Sequence, residues 1–75
     1  MENRKFEMYY VDVSNDGSEF ELVFKVDGRI VDIKTEYCFE DVLIDSSEFL
    51  NKNCEKYSYD SRFDSFEVNL SYRFS

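Results

Sequence analysis

The sequence predicts an α+β fold: an antiparallel β-sheet in the order β-β-β-α-β, meander first, with one helix packed on one face. Three observations carry this expectation. Asp16-Gly17 and Asp27-Gly28 interrupt runs of alternating apolar and polar residues. Asp-Gly between such runs signals a hairpin, because a type I′ turn needs positive φ at both central positions. After residue 44 the apolar spacing becomes helical, with Phe49, Leu50, Cys54 and Tyr57 on one stripe. From Phe66 onward strict alternation returns, with Val68, Leu70, Tyr72 and Phe74 set against Glu67, Asn69, Ser71 and Arg73. The 75 residues make a single small domain.

The meander covers roughly residues 5–14, 19–27 and 29–38. Counting outward from Asp16-Gly17 as a two-residue loop sets Val13 against Phe20, Val11 against Leu22 and Tyr9 against Phe24. Counting from Asp27-Gly28 sets Phe24 against Val31, Leu22 against Ile33 and Phe20 against Thr35. Both counts put the same residues of the middle strand on one face, and a slip of one residue would turn every side chain over. The opposite face then carries Asp12, Glu21, Lys25, Asp32 and Lys34, together with Phe6, Met8, Tyr10, Val23 and Ile30. Those five apolar residues are either covered or form an exposed patch.

The helix has a clear start signal. Asp45 as N-cap with Glu48 three residues on forms an acidic capping box. Ile44 and Phe49 form the matching hydrophobic staple. The expected helix runs from about Ser46 to Lys56, with Lys52 and Lys56 late, where cations suit the helix dipole. Residues 58–65 read as a loop, with a short strand over 57–63 as the alternative. Residues 66–74 form the closing half-buried strand.

Composition excludes several function classes. Histidine, proline and tryptophan are absent, and the formal net charge is −8. Without histidine, a Ser or Cys nucleophile lacks its usual activating base. There is no Gly-rich phosphate loop. Asp60-Ser-Arg-Phe-Asp64 has carboxylates four apart but lacks the glycine and closing glutamate of an EF-hand loop. No catalytic residue, metal site or cofactor is expected, and the chain reads as a non-enzyme. Phosphates select Lys and Arg, so direct nucleic-acid binding is not expected. No apolar run approaches the ~20 residues of a membrane span. MENRKF leads into strand-like sequence without the apolar core of a signal peptide. Cys38 and Cys54 therefore read as reduced thiols in a cytoplasmic protein. Fourteen Phe and Tyr residues in 75 supply a core for a domain too small to bury much surface otherwise.

The acid is unevenly spread. Residues 35–51 hold Glu36, Glu40, Asp41, Asp45 and Glu48 with no Lys or Arg. Capping explains Asp45 and Glu48, and leaves Glu36, Glu40 and Asp41 over. A concentrated acidic patch speeds encounter with a basic partner and helps select it. Nucleic-acid-binding clefts are the natural basic partners, being lined with Lys and Arg.

In size, acidity and absence of catalytic residues, the chain resembles in general character the phage-encoded inhibitors of CRISPR or restriction nucleases. That resemblance implies an inhibitor in nucleic-acid-mimic style, acting in the host cytoplasm on a basic nuclease complex. Glu36, Glu40, Asp41, Asp45 and Glu48 would occupy phosphate subsites, with Tyr57 and Tyr59 as aromatic anchors. An immunity protein or antitoxin neutralising a basic toxin is the alternative with nearly the same physics. A small homodimeric assembly protein is the alternative of a different class. Its interface would be the patch Phe6, Met8, Tyr10, Val23 and Ile30, or the edge of strand 66–74.

Overall fold

A computed structural model describes residues 3–71. The elements are β1 (Lys5–Asp12), β2 (Phe20–Val26), β3 (Arg29–Glu36), α1 (Phe39–Lys56) and β4 (Ser65–Asn69). The expected β-β-β-α-β order holds. The sheet itself is mixed, with order β3-β2-β1-β4 and β4 running parallel to β1. This corrects the all-antiparallel expectation. The cause is α1, an 18-residue helix about 27 Å long. It carries the chain back to the end of the sheet where β3 began, and a crossover of that kind yields a parallel strand. β4 therefore runs in the same sense as β3, and so as β1. It pairs Phe6 with Phe66 and Met8 with Val68. β4 ends at Asn69 with a turn at Leu70 and Ser71, so the expected strand 66–74 stops short, and its Tyr72 and Phe74 lie outside the described residues.

Both outer strands of the meander pair one residue away from the expected register. Against β2, β1 sets Met8 opposite Phe24, Tyr10 opposite Leu22 and Asp12 opposite Phe20. The Asp16-Gly17 connection is not a two-residue turn. Val13 N–H bonds the Glu19 carbonyl at 3.1 Å, enclosing a five-residue loop from Ser14 to Ser18. One oxygen of Asp12 accepts from the Ser14 N–H, the Ser14 hydroxyl and the Asn15 N–H. The Ser14 hydroxyl oxygen accepts in turn from the N–H groups of Ser18 and Glu19. Side chains flanking the Asp-Gly pair thus set the loop, a known way for Asp and Ser to redirect local backbone.

The Asp27-Gly28 turn forms as expected, with φ of 53° and 81° at its two residues. It aligns Val26 with Arg29 and Lys25 with Ile30. A β-bulge at Val31 then shifts the rest of β3, so that Phe24 faces Asp32 and Leu22 faces Lys34. The bulge lets Val31 join the core while Asp32 turns toward the helix. There Asp32 accepts from the Asn53 amide at 3.1 Å and pairs with Lys52 at 3.5 Å.

Consequently Phe6, Met8 and Tyr10 join Phe20, Leu22 and Phe24 on the face that α1 covers, with Val42 and Phe49 from the helix. Phe24 is the hub, its ring meeting those of Phe6, Phe49, Tyr57 and Phe66. Asp12, Asp32 and Lys34 also lie on this face, which corrects their expected place on the other one. Tyr9, Val11, Val13 and Ile33, expected in the core, lie on the open face instead.

The helix starts seven residues before the expected position. Its N-cap is Cys38, which makes no side-chain capping bond. Asp45 is interior, so the proposed capping box and staple do not form. Ile44 is exposed, whereas Phe49 is buried in the core. Val42, Ser46, Phe49 and Asn53, three or four residues apart, make the buried stripe. Two of these are polar. Ser46 donates to the Leu43 carbonyl, and Asn53 donates to the Phe49 carbonyl and to Asp32. Cys38 and Cys54 are free thiols. Sixteen residues of helix hold them ~24 Å apart, so they cannot bridge.

Residues 58–64 form turns rather than a strand. Asp64 closes this loop by accepting from the N–H groups of Asp60 at 2.8 Å and Arg4 at 3.0 Å. No described helix is long and apolar enough to cross a membrane.

Candidate functional site

The five predicted carboxylates gather at one end of the domain but divide into two environments. Glu40 and Asp41 occupy the first turn of α1 and are exposed. Aligned peptide dipoles favour acids there. Of the three acids that capping was expected to leave unexplained, Glu40 and Asp41 are thus the two that the dipole suits. Glu48 is also exposed, and it shares a helix flank with Asp41 and Asp45 at spacings of four and three.

Glu36 behaves differently. It ends β3 on the covered face and is only 6% exposed. Its carboxyl lies against the helix, beside Asp45 and Asp41, with Lys34 Nζ 4.0 Å away. Burial pushes the Glu36 carboxyl above the usual glutamate range, and a hydrogen bond with Asp45 pushes it further the same way. Lys34 opposes this only in part. Glu36 and the half-buried Asp45 therefore face each other, and the outward acid surface comprises Glu40, Asp41 and Glu48. Thr35–Asn51 contains no Lys or Arg, and Lys34 from β3 and Lys52 from the helix flank the acids, lining one cleft with Asp45 and Glu48.

The two tyrosines named as anchors pack inward at the far end of the helix. Tyr57 stacks on Phe24 with ring centroids 6.4 Å apart. Tyr59 meets Phe6 edge-on at 5.1 Å and Phe66 at 5.6 Å. Both rings contribute to the core, away from the acidic end.

The open face of the sheet holds the feature that the expected register concealed. Phe6, Met8 and Tyr10 are buried under the helix, so they leave the predicted apolar patch. Val23 and Ile30 remain in it, joined by Tyr9, Val11, Val13 and Ile33 around a shallow cavity of about 300 Å³. Ile30 is 55% exposed and Ile33 47%. The signal was present in the alternation Tyr9-Val11-Val13, which reads equally well as either face of a strand.

Beside this patch, Glu7 and Lys25 pair at 3.9 Å and border a second, polar depression with Glu67 and Asn69. Among the described residues no group of three or more Cys, Asp or Glu side chains is arranged to hold a metal ion. In the Asp60–Asp64 loop, Asp60 is taken by Arg62 in two side-chain bonds, which hold its carboxyl down at about 2.

Comparison with protein-family models, with characterised proteins and with solved structures finds no match for this chain.

Proposed function

We propose that this chain is a small non-catalytic interaction protein that binds a basic, nucleic-acid-binding protein through the acidic N-terminal half of α1. It would act as an inhibitor, placing carboxylates where the partner normally holds phosphates. The observation that supports this reading best is the arrangement of Glu40, Asp41 and Glu48. They are exposed on one rigid helix, with no cation before Lys52. A helix fixes the spacing of its carboxylates, so the ordering cost on binding is smaller than for a flexible acidic tail.

Binding of the purified protein to nucleic-acid-binding nuclease complexes, measured across a salt series with and without nucleic acid, tests the reading. Affinity is expected to fall steeply with salt, and nucleic acid to compete. Replacing Glu40, Asp41 and Glu48 together by Gln is expected to remove binding while leaving the fold intact. Binding that ignores salt, nucleic acid and the triple replacement would overturn the proposal.

A further inference from the structure

We propose that β3 is a self-pairing edge, through which two copies join antiparallel about a two-fold axis at Ile33 into one eight-stranded sheet. This inference goes beyond the reading above and rests on the sheet edge rather than on the acidic helix surface.

Among the described residues, the order β3-β2-β1-β4 leaves one side of β3 without a strand neighbour. Such an edge presents a row of backbone groups that can template another chain. Natural edges are commonly blunted by charges pointing toward the covered face, and β3 carries Asp32, Lys34 and Glu36 there. Those charges forbid most registers of self-pairing and permit one long one. With Ile33 opposite its own copy, Asp32 faces Lys34 of the second copy, and Lys34 faces its Asp32. With the bulged Val31 stepped over, as it is against β2, Ile30 then falls opposite Thr35 and Arg29 opposite Glu36. Directly opposed unlike charges stabilise a pair of strands, whereas like charges destabilise it.

Moving the axis toward the start of β3 sets Asp32 against Asp32. Moving it toward Lys34 sets Lys34 against Lys34 and Asp32 against Glu36. Centring it on Thr35 restores unlike pairs but leaves only the last residues of the strand overlapped. Odd shifts place apolar open-face residues opposite charged covered-face ones. β4 offers no such code, because it spans only five residues and antiparallel self-pairing about its centre would set Glu67 against Glu67.

The helix layer agrees with this axis. Both copies of α1 would lie on the same face and run antiparallel. They would stand two to three strand spacings apart, roughly 10–14 Å. The Asp45 and Glu48 half of one helix would then lie beside the Lys52 and Lys56 half of the other. A cleft of about 120 Å³ along that flank, lined by Lys34, Asp45, Glu48, Phe49 and Lys52, leaves room for the crossing side chains. On the open face the two copies of Ile33 would meet and make one apolar surface from two.

Sedimentation across a concentration series tests this, with the fold of each variant checked by circular dichroism. The wild type is expected to form a dimer that dissociates on dilution. Lys34→Asp turns two unlike pairs into like ones and is expected to weaken the dimer roughly tenfold or more. Ile33→Lys, which leaves Asp32 and Lys34 in place, sets two cations together at the axis and is expected to give a folded monomer. The double exchange of Asp32→Lys with Lys34→Asp restores opposite charges and is expected to recover the dimer. A wild type that stays monomeric throughout would overturn the proposal. So would a folded double exchange that remains monomeric. A dimer indifferent to Lys34→Asp and Ile33→Lys but lost on Val13→Asp would place the contact on the open face and refute β3 pairing.

Discussion

Aspartate introduced at Met8 and at Val13 distinguishes the observed register of β1 from the one that hairpin counting gives. Met8 is 2% exposed, opposite Phe24 and beneath the helix, whereas Val13 is 42% exposed on the open face. A domain of 75 residues has a stability of about 4–11 kcal/mol at 0.05–0.15 kcal/mol per residue. Removing the buried methionine side chain forfeits about 1.5–3 kcal/mol of transfer free energy. Burying an unpaired carboxylate in its place costs several kcal/mol more. The sum is comparable with the stability of the whole domain, so Met8→Asp is expected to be largely unfolded in buffer. Val13→Asp loses only part of an exposed side chain's contacts, about 1 kcal/mol or less. Urea unfolding followed by far-ultraviolet circular dichroism and tyrosine fluorescence reads both. If Val13→Asp were unfolded while Met8→Asp kept a cooperative transition, β1 would have its other face inward, and the core described here would be wrong.

Three further outcomes are expected. Asp12→Ala removes one acceptor for three donors of the first loop, and should cost about 1–3 kcal/mol in urea titration, leaving the Asp27-Gly28 turn unaffected by NMR. Glu36 binds its proton more tightly folded than unfolded, because of burial first and Asp45 second. Its contribution is therefore full below the unfolded glutamate pKa and declines as pH rises through the folded value. Glu36→Gln should raise stability at neutral pH and flatten that decline, and an unchanged or steeper stability–pH curve would contradict the assignment. Asp64 has the opposite sign. Its bond from the Asp60 N–H, helped by those from Arg4, holds its carboxyl below the usual range. Its contribution is present above the unfolded aspartate pKa and is lost as pH falls through the folded value, so Asp64→Asn should shift acid unfolding to higher pH.

Several parts of this architecture were legible in residue order alone. Asp27-Gly28 has the turn chemistry its dipeptide implies, and β2 has Phe20, Leu22 and Phe24 inward as alternation requires. The two hairpin counts agreed with each other and were still both off by one. Each was tied to β2, and agreement on β2 constrained only β2. A five-residue loop on one side and a bulge at Val31 on the other turned both outer strands over together. Neither device has a dipeptide signature. One depends on the side chains of Asp12 and Ser14, the other on Asn53 and Lys52 reaching Asp32 from a distant helix. The helix start was obscured for a related reason. Asp45 and Glu48 satisfy the spacing of a capping box, but Val42 packs into the core, so burial carries the helix back to Phe39 past a good local signal. At the candidate site the acidic segment was visible as a run of carboxylates without bases. That Glu36 is buried against Asp45 was not, because it follows from the inverted face of β3.

The place of β4 has a consequence for how the chain comes together. Its backbone meets that of the N-terminal strand, Ser65 N–H bonding the Arg4 carbonyl at 3.0 Å. These partners are 61 positions apart, so the contact is among the most distant the domain contains. During synthesis β1, β2, β3 and α1 leave the ribosome before β4 does. Until β4 arrives, β1 is an open edge and Phe6 lacks its lid from Tyr59 and Phe66. Non-local pairing of this kind slows folding, and an unpaired strand is a site for wrong association meanwhile. A nascent chain arrested before Ser65 would thus carry its helix and its hairpins yet lack the strand that closes the β1 edge.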